Sequence, residues 1–309
     1  MNTISRHWAP STRATYQVGV RTYMRFCEQI KVIPFPICSD ILELFVSSMA
    51  QRIGVKSMNV YLCGLQYVNT FYGFSEQISH MPNLAYVLRG IRRTQGPKFH
   101  RPLRAPILVT HLTDMFNLCS CFLNPHDTLM IRAAFTLAFF GLLRVSEYTA
   151  PQNFLWDPLV HLAVTDVSFS IHPPSMRLKI KASKTDPFRV GAVIRLVPLK
   201  HRLCPVAAMY RYLRVADRTS GPLFIKSDGT FLTRHHIVGV LRRCFSSPNL
   251  NTHSFRIGGA SALANAGVPS HIIKQLGRWR SDAFLKYLRL SHQCLSETFS
   301  ALVACNTIM

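Results

Sequence analysis

The chain has 309 residues, of which 48% are hydrophobic and 16% charged, and this composition excludes a disordered protein while leaving room for two folded domains. Its 36 Lys and Arg residues outnumber its 14 Asp and Glu residues, and the net charge of +22 favours a nucleic acid or an anionic membrane surface as partner. A membrane span is excluded because the longest apolar run, residues 133–143, is far shorter than the roughly 20 residues that a transmembrane helix needs.

Residues 1–95 are predicted to form a small helical domain, because apolar side chains recur there with a helical period in four stretches. The first predicted helix begins at Ser11 and the second at Ser39, since serine is a common N-terminal cap. The third spans residues 60–72 and the fourth residues 84–93. The basic side chains in the fourth helix are candidates for contacts with DNA phosphates: Arg89, Arg92 and Arg93. A plain helical bundle with aromatic side chains in its core explains this region equally well.

Residues 96–106 are predicted to form a linker, because Gly and Pro interrupt the helical period and the charge is positive throughout. Such a segment fits a chain that lies along a DNA backbone, and it fits a solvated spacer equally well. Residues 97–309 hold 26 Lys or Arg against 10 Asp or Glu, whereas residues 1–96 hold 10 against 4. The C-terminal part is the more basic, as expected if it holds the main anion site.

This second region opens with helices, one of which is predicted to be buried. Asn124 and Pro125 form a cap and first-turn pair, and residues 131–143 are apolar nearly all round. Arg144 follows this apolar stretch directly, so its backbone is well held, as a preorganised phosphate ligand requires. An ion pair between Arg144 and Glu147 is an alternative role, and the two roles are compatible.

Strand signals come next along the chain. Residues 162–169, 176–180 and 192–197 are rich in alternating apolar side chains and predict a small antiparallel sheet. Lys181 and Lys184 stand just before the turn between the last two strands. A lysine at a hairpin tip can reach into a cleft on its long stem, although a solvated lysine is the more usual outcome.

Two further helices are predicted after the sheet, one from Cys204 onward and one over residues 233–245. The second helix ends in Arg242 and Arg243, which are candidates for sequence-independent contacts with DNA phosphates. Two adjacent histidines in the same helix cannot share one face, and a metal site between them is therefore not expected.

Residues 252–289 are predicted to form three short helices separated by two turns. Thr252 is the predicted N-cap of the first helix, Gly267 ends it, and Pro269 lies in the first turn of the second. This arrangement presents one His, one Arg, one Trp and one Tyr on a compact, basic unit.

The first of these helices carries two functional candidates and two unusual glycines. His253 and Arg256 are three residues apart and therefore share one face of the helix. Gly258 and Gly259 cost about 1 kcal/mol each relative to alanine inside a helix. Their presence predicts a close backbone approach, either by DNA or by a neighbouring helix.

Aromatic and basic side chains follow in the second turn and the third helix. Trp279 lies between Arg278 and Arg280, which are candidates for contacts with DNA, and Tyr287 comes eight residues after Trp279. A phenol can attack a phosphodiester as a covalent nucleophile when neighbouring groups activate it, and fixed guanidinium groups stabilise the charge that develops on the phosphate. Each side chain alone has an ordinary explanation as a solvated or core residue, but their order together favours a shared site.

The order His-x-x-Arg, Leu-Gly-Arg-Trp and Tyr-x-Arg resembles the C-terminal signature of the tyrosine recombinases, the phage-integrase family. The stretch GRWRSDAFLKYLR is most similar to the DIRS-type and Crypton-type recombinases of eukaryotic mobile elements. The resemblance implies a mainly α protein with a small antiparallel β-sheet. Residues 1–95 would form the helical core-binding (SAM-like) domain that clamps double-stranded DNA, and residues 107–309 the catalytic domain.

The resemblance also implies a role for each matching side chain. Tyr287 would attack the DNA phosphodiester to leave a 3′-phosphotyrosine, while Arg144 and Arg256 bind the non-bridging oxygens. Lys184, with Lys181 as the fallback, would protonate the leaving 5′-oxygen. No cofactor or metal is expected, because the phosphotyrosine bond keeps the energy of the broken phosphodiester for resealing.

Two assignments stay open at this point. His253 is either the proton acceptor for Tyr287 or a further hydrogen-bond donor to the phosphate. The position that many relatives fill with a second His or Trp is taken here either by Arg278 or by Trp279. The tail, residues 291–305, is predicted as an amphipathic helix. In the family such a helix packs on a neighbouring protomer within a tetramer, and the resemblance implies a homotetramer on DNA.

Nine cysteines are scattered along the chain without a CxxC motif. This pattern predicts reduced thiols in an intracellular protein and argues against disulfides or a zinc site. The N-terminal sequence lacks the apolar core of a secretion signal, and the resemblance to eukaryotic mobile elements implies a nuclear protein.

Three other functions remain compatible with the sequence. A type IB topoisomerase uses similar side chains and relaxes supercoiled DNA. A domesticated, catalytically silent DNA-binding protein would retain the fold without the reaction. A basic helical interaction protein would bind no DNA, and the salt dependence of DNA binding distinguishes it from the others.

Overall fold

The computed structural model describes residues 8, 10–99, 103–183, 186, 188–289 and 296. The chain divides into two compact units, residues 1–102 and residues 103–309. The predicted tail helix at 291–305 and Lys184 lie outside the described residues, apart from the single tail position 296. The domain boundaries drawn from the sequence stay a prediction.

The N-terminal unit is a helical bundle. Its helices are α1 (Pro10–Gln29), α2 (Ser39–Met49), α3 (Val55–Phe71) and α4 (Leu84–Gln95). Tyr23 and Phe45 are buried at its centre, with ring centroids 5.2 Å apart. Cys38, rather than Ser39, is the N-cap of α2, because the Ser39 hydroxyl donates to the Glu43 carboxylate at 3.0 Å instead of capping the backbone.

The C-terminal unit is built around one buried helix. Its helices are α5 (Val109–Leu118), α6 (Pro125–Phe140), α7 (Val145–Tyr148), α8 (Pro205–Ala216), α9 (Arg234–Cys244), α10 (Ser254–Asn265) and α11 (Ser270–Leu276). Helix α6 begins as predicted: the side chain of Asn124 accepts the backbone N–H of Asp127 at 2.8 Å. Nearly every residue from Met130 to Phe139 is buried, and α8 and α10 pack on this helix.

Three antiparallel strands form a small sheet in the order β1 (Val167–Ser170), β2 (Ser175–Ile180) and β3 (Ala192–Leu196). The first strand is much shorter than the predicted 162–169, because residues 164–166 form a 3-10 turn. The carboxylate of Asp166 accepts the N–H of Ala163 at 2.8 Å and binds Lys181 at 2.6 Å. These contacts favour the turn over the extended backbone that Val and Thr prefer.

The segment predicted as a linker is partly ordered against the C-terminal unit. Residues 96–99 form a 3-10 turn that continues from α4. Further on, the N–H of Ala105 donates to the carbonyl of Asn249 at 3.3 Å, and that of Ile107 to the carbonyl of Ser254 at 2.9 Å. Ile107 is fully buried, so this end of the segment is held in place by its own unit.

Within the described residues, none of the helices has the length and apolar character to cross a bilayer. The same residues contain no group of three or more His, Cys, Asp or Glu side chains arranged to hold a metal ion. The seven cysteines that the structure describes are free thiols.

Candidate active site

Helix α10 supplies two of the candidate side chains, and its start differs from the prediction. The N-cap is His253, not Thr252, and Thr252 is buried. Polar side chains around the turn fix this start: Asn251 accepts the N–H of His253 at 2.9 Å, and the hydroxyl of Ser254 accepts the N–H of Asn251 at 3.1 Å. The backbone of His253 is therefore held directly.

The two glycines of α10 allow the helix to approach its neighbours closely. A Cβ at Gly258 would lie 1.9 Å from the carbonyl oxygen of Ile107, and one at Gly259 would lie 2.4 Å from that of Phe139 in α6. Any side chain at either position would collide with backbone. Of the two explanations offered by the sequence, the close approach seen here is to protein backbone.

Arg256 is buried in the centre of the site, with 1% of its surface exposed. Its Nη1 donates to the carbonyl of Leu142 and its Nη2 to the carbonyl of Gly277. Its Cζ atom lies 4.1 Å from the centroid of the Trp279 ring, in a cation–π contact. Burial, followed by the charge of Arg144, lowers the pKa of Arg256 to about 9. The guanidinium group is thus fixed before any ligand arrives.

Arg144 lies at the turn between α6 and α7 and forms the predicted ion pair with Glu147. Its Nη1 donates to Glu147 Oε1 at 2.9 Å and to the hydroxyl of Ser183 at 2.8 Å. The Ser183 hydroxyl in turn donates to the same carboxylate oxygen at 2.8 Å. Burial acts to raise the pKa of Glu147. The charge of Arg278, the hydrogen bond from the backbone N–H of Arg144 and the charge of Arg144 outweigh burial and together lower that pKa.

Arg278 is the second cation that binds Glu147. Its Nη2 lies 2.9 Å from Glu147 Oε2, so one buried carboxylate holds two guanidinium groups by its two oxygens. The backbone of Arg278 has a φ of +57°, which is uncommon for a residue with a side chain. In the described part of the chain the site therefore contains three arginines, and Glu147 pairs with two of them, Arg144 and Arg278.

Tyr287 lies between two aromatic rings. Its centroid is 4.9 Å from that of His253 at an interplanar angle of 72°, and 5.8 Å from that of Trp279 at 33°. It ends a 3-10 turn, Asp282–Tyr287, which the buried side chain of Phe284 anchors. The hydroxyl of Ser261 in α10 donates to the Tyr287 carbonyl at 3.1 Å, which ties this turn to α10.

His253 stands in a strongly positive environment. Burial first, and then the charges of Arg104, Arg256 and Arg144, lower its pKa to about 4. Its imidazole is therefore neutral at pH 7 and has one nitrogen that can accept a proton. A surplus of guanidinium groups beside a neutral imidazole and a phenol is suited to binding an anion such as a phosphate.

The structure thus brings five predicted residues into one site. These are Arg144, His253, Arg256, Trp279 and Tyr287. Lys184 lies outside the described residues, and the fallback Lys181 is bound to Asp166 at 2.6 Å and to the carbonyl of His161 at 3.4 Å. Sequence reasoning missed Ser183. The available signal was its place beside Lys184 in the hairpin.

The other predicted DNA contacts are surface arginines. Arg280, Arg242 and Arg243 are exposed in the C-terminal unit, and Arg243 lies over the ring of Phe122 at 4.1 Å. The three arginines predicted in α4 of the N-terminal unit, at positions 89, 92 and 93, are exposed as well. Their contacts with DNA stay a prediction.

Comparison with known proteins gives a match in fold alone. No protein-family model and no curated protein sequence matches the chain. Among solved structures, the XerH site-specific recombinase bound to a palindromic difH substrate matches with a TM-score of 0.65 at 14% identity, over 93% of this chain and 78% of that one. The Tn1549 transposon integrase in complex with transposon right end DNA gives a TM-score of 0.62 at 13% identity, over 96% and 95%.

A lambda integrase dimer bound to a COC′ core site gives a TM-score of 0.59 at 12% identity, over 92% of this chain and 73% of that one. At such identities the similarity establishes the fold. The predicted fold class, mainly α with a small antiparallel sheet and the architecture of the tyrosine recombinases, is confirmed.

Proposed function

We propose that the protein is a tyrosine-type DNA recombinase or integrase, which breaks and rejoins double-stranded DNA through a 3′-phosphotyrosine intermediate. The observation that carries the proposal is the convergence of residues 144, 256 and 287, distant in sequence, on one positively charged site. The three solved structures named above are each a recombinase or integrase bound to DNA, which supports the same function.

In the proposed first step, the phenol oxygen of Tyr287 attacks the scissile phosphorus. The new bond joins this oxygen to phosphorus, and the bond between phosphorus and the 5′-oxygen breaks. The negative charge grows on the non-bridging oxygens, where Arg144 and Arg256 donate hydrogen bonds. Resealing is the reverse reaction with the 5′-hydroxyl of a second strand, and it needs no outside energy source.

Among the described residues, His253 is placed to accept the phenol proton. His253 faces the Tyr287 ring and is neutral at pH 7 because of its lowered pKa, so it has a free acceptor nitrogen. A bound phosphate adds negative charge beside the surrounding arginines, which raises the pKa of His253 and makes it a better base. We therefore propose His253 as the acceptor, with hydrogen bonding to the phosphate as its second function.

The proton for the leaving 5′-oxygen is assigned to Lys184. The residue before it, Ser183, contacts both Arg144 and Glu147, and the alternative Lys181 is engaged by Asp166. Both observations favour position 184 as the donor. For Trp279, the contacts with Arg256 and Tyr287 support a role in holding the nucleophile against the phosphate-binding arginine.

The proposal extends to the setting in which the enzyme acts. The resemblance to DIRS-type and Crypton-type recombinases favours a mobile-element enzyme that works in the nucleus on double-stranded DNA. We further propose a homotetramer on DNA, assembled through the tail at 291–305. The mass of the complex on a synaptic DNA substrate, measured with and without this tail, tests that part separately.

The decisive experiment is covalent trapping on a nicked suicide substrate, in which the released 5′-end diffuses away and prevents resealing. The wild-type protein is expected to form a covalent complex with DNA. Tyr287→Phe is expected to form none while it retains DNA binding, because only the phenol oxygen is removed. A covalent complex from this variant would show that another residue is the nucleophile.

The same assay separates the alternatives. DNA binding without trapping by the wild-type protein would indicate a catalytically silent DNA-binding protein. Trapping together with plasmid relaxation, but without joining of two sites, would indicate a type IB topoisomerase.

A further inference from the structure

Arg278 differs from its two neighbouring arginines in how its N–H groups are used. Its Nη2 donates to Glu147 Oε2 at 2.9 Å and to the carbonyl of Leu142 at 3.3 Å. Its Nη1 donates to the carbonyls of Gly141 and Leu276, both at 3.2 Å. A guanidinium group carries two N–H bonds on each of these nitrogens, so all four are engaged by protein acceptors.

The one remaining N–H of Arg278 is not directed at solvent. Its Nε atom is buried and has no hydrogen-bond partner among the described residues. By contrast, each Nη of Arg256 makes one hydrogen bond within the described part of the chain, so each keeps a second N–H that has no acceptor there. Arg144 makes its side-chain contacts through Nη1 alone in the same residues.

The acceptors of Arg278 belong to two separate turns. Gly141, Leu142 and Glu147 lie on the segment that presents Arg144, whereas Leu276 ends α11, just before Trp279. The carbonyl of Leu142 accepts from both Arg278 and Arg256. The Arg278 side chain therefore joins the turn that carries Arg144 to the turn that carries Trp279.

The backbone at both ends of this link is strained. Arg278 has a φ of +57° and Leu142 a φ of +47°, in the left-handed region that side chains rarely occupy. Such conformations persist only where the surrounding contacts determine them. The hydrogen bonds of Arg278 supply those contacts.

We propose that Arg278 is a positioning residue for strand cleavage: it holds Arg144, Arg256 and Trp279 in register through Glu147 and the 141–142 carbonyls, and it does not bind the scissile phosphate. This inference rests on the proposed function. It resolves the choice between Arg278 and Trp279 by removing Arg278 from the groups that touch the reacting atoms.

The test compares two substrates that differ by one charge. A methylphosphonate at the scissile position is neutral, so the loss of a cation that neutralises the phosphate is less harmful on it than on the phosphodiester. The loss of Arg278 also displaces Trp279, which packs against the proposed nucleophile Tyr287, so its effect persists on the neutral substrate. Single-turnover rates of covalent complex formation are measured at saturating DNA for the wild type, Arg278→Gln and Arg256→Gln.

Arg278→Gln is expected to slow cleavage by about 100-fold on both substrates, since small displacements of catalytic groups have effects of this size. Arg256→Gln is expected to recover much of its loss on the methylphosphonate. Recovery by Arg278→Gln to the same extent would overturn the inference, because it would place this cation on the phosphate.

Two controls keep the result interpretable. Arg214→Gln removes an exposed arginine from the last turn of α8 and is expected to cleave at the wild-type rate. If Arg278→Gln does not fold, Arg278→Lys takes its place, because lysine keeps the positive charge toward Glu147 but loses the forked N–H groups of the guanidinium. Equal rate losses of this variant on the two substrates support the inference. Recovery of its rate on the methylphosphonate refutes it. Failure of the wild-type protein to cleave the phosphodiester would instead refute the proposed function.

Discussion

Replacing Glu147 by glutamine tests the electrostatic design of the site most directly. Glu147 is 3% exposed, and its two oxygens each hold a guanidinium group at 2.9 Å. Glu147→Gln keeps the size of the side chain but leaves the two arginines without their carboxylate. Removing one partner from a buried ion pair costs about 3 to 5 kcal/mol, and we expect the lower end because both arginines are partly solvated.

The loss is measured as the free energy of unfolding of the full chain in urea at pH 7. The pH dependence supplies a second, independent readout. The pKa of Glu147 is lower in the folded protein than its ordinary value of 4.5, so its contribution is present above that value. As the pH falls through the folded pKa, the wild type loses this contribution. The difference between wild type and Glu147→Gln is therefore expected to shrink in acid.

Asp282 provides the matched control. Its carboxylate also binds a cation, Lys274 at 2.8 Å, but 73% of its side chain is exposed. Exposed pairs contribute below about 1 kcal/mol, so Asp282→Asn should hardly change stability. If Glu147→Gln is no more destabilising than Asp282→Asn, the reasoning that this carboxylate holds the arginines in place is wrong.

Three further predictions follow from the geometry. Gly258→Ala is expected to destabilise the protein by about 3 kcal/mol or to prevent folding, because its Cβ would lie 1.9 Å from a carbonyl oxygen. Gly239→Ala on α9, where the new Cβ would meet no described atom beyond its own helix backbone and chain neighbours within 4 Å, should instead stabilise by about 0.5 to 1 kcal/mol in the same urea titration. His253 has a pKa of about 4 in the folded protein and an ordinary value of 6.5, so the unfolded state binds more protons between these two pH values. The free energy of unfolding should therefore fall as the pH drops through this window. His253→Gln should remove this part of the pH dependence of stability. Trp279→Leu should slow covalent trapping roughly tenfold through loss of the cation–π contact with Arg256, whereas Trp279→Phe should keep most of the rate; equal rates for both variants would contradict this.

The parts of the site that the sequence predicted are those with a local signal. Arg144 follows an apolar helix, His253 and Arg256 are three residues apart, and Tyr287 completes a recognisable order. Each of these features is contained in a short stretch of chain. The buried helix α6 could be predicted for the same reason, since its apolar residues are consecutive.

The parts that the sequence did not predict depend on contacts between distant segments. Ser183 reaches Arg144 across 39 positions, and Arg278 reaches Glu147 across 131 positions. No local pattern reports such pairs. The same limit explains why the first strand is shorter than predicted: the ion pair of Asp166 with Lys181 stabilises a turn where the local residues favour extended backbone.

The short stretch around Ile107 has a mechanical consequence. The N–H of Ile107 donates to the carbonyl of Ser254, and the carbonyl of Ile107 packs against Gly258. Ile107 is therefore attached to α10 at two points along the helix. Tension on the preceding chain would be delivered to the first turn of that helix, beside His253 and Arg256.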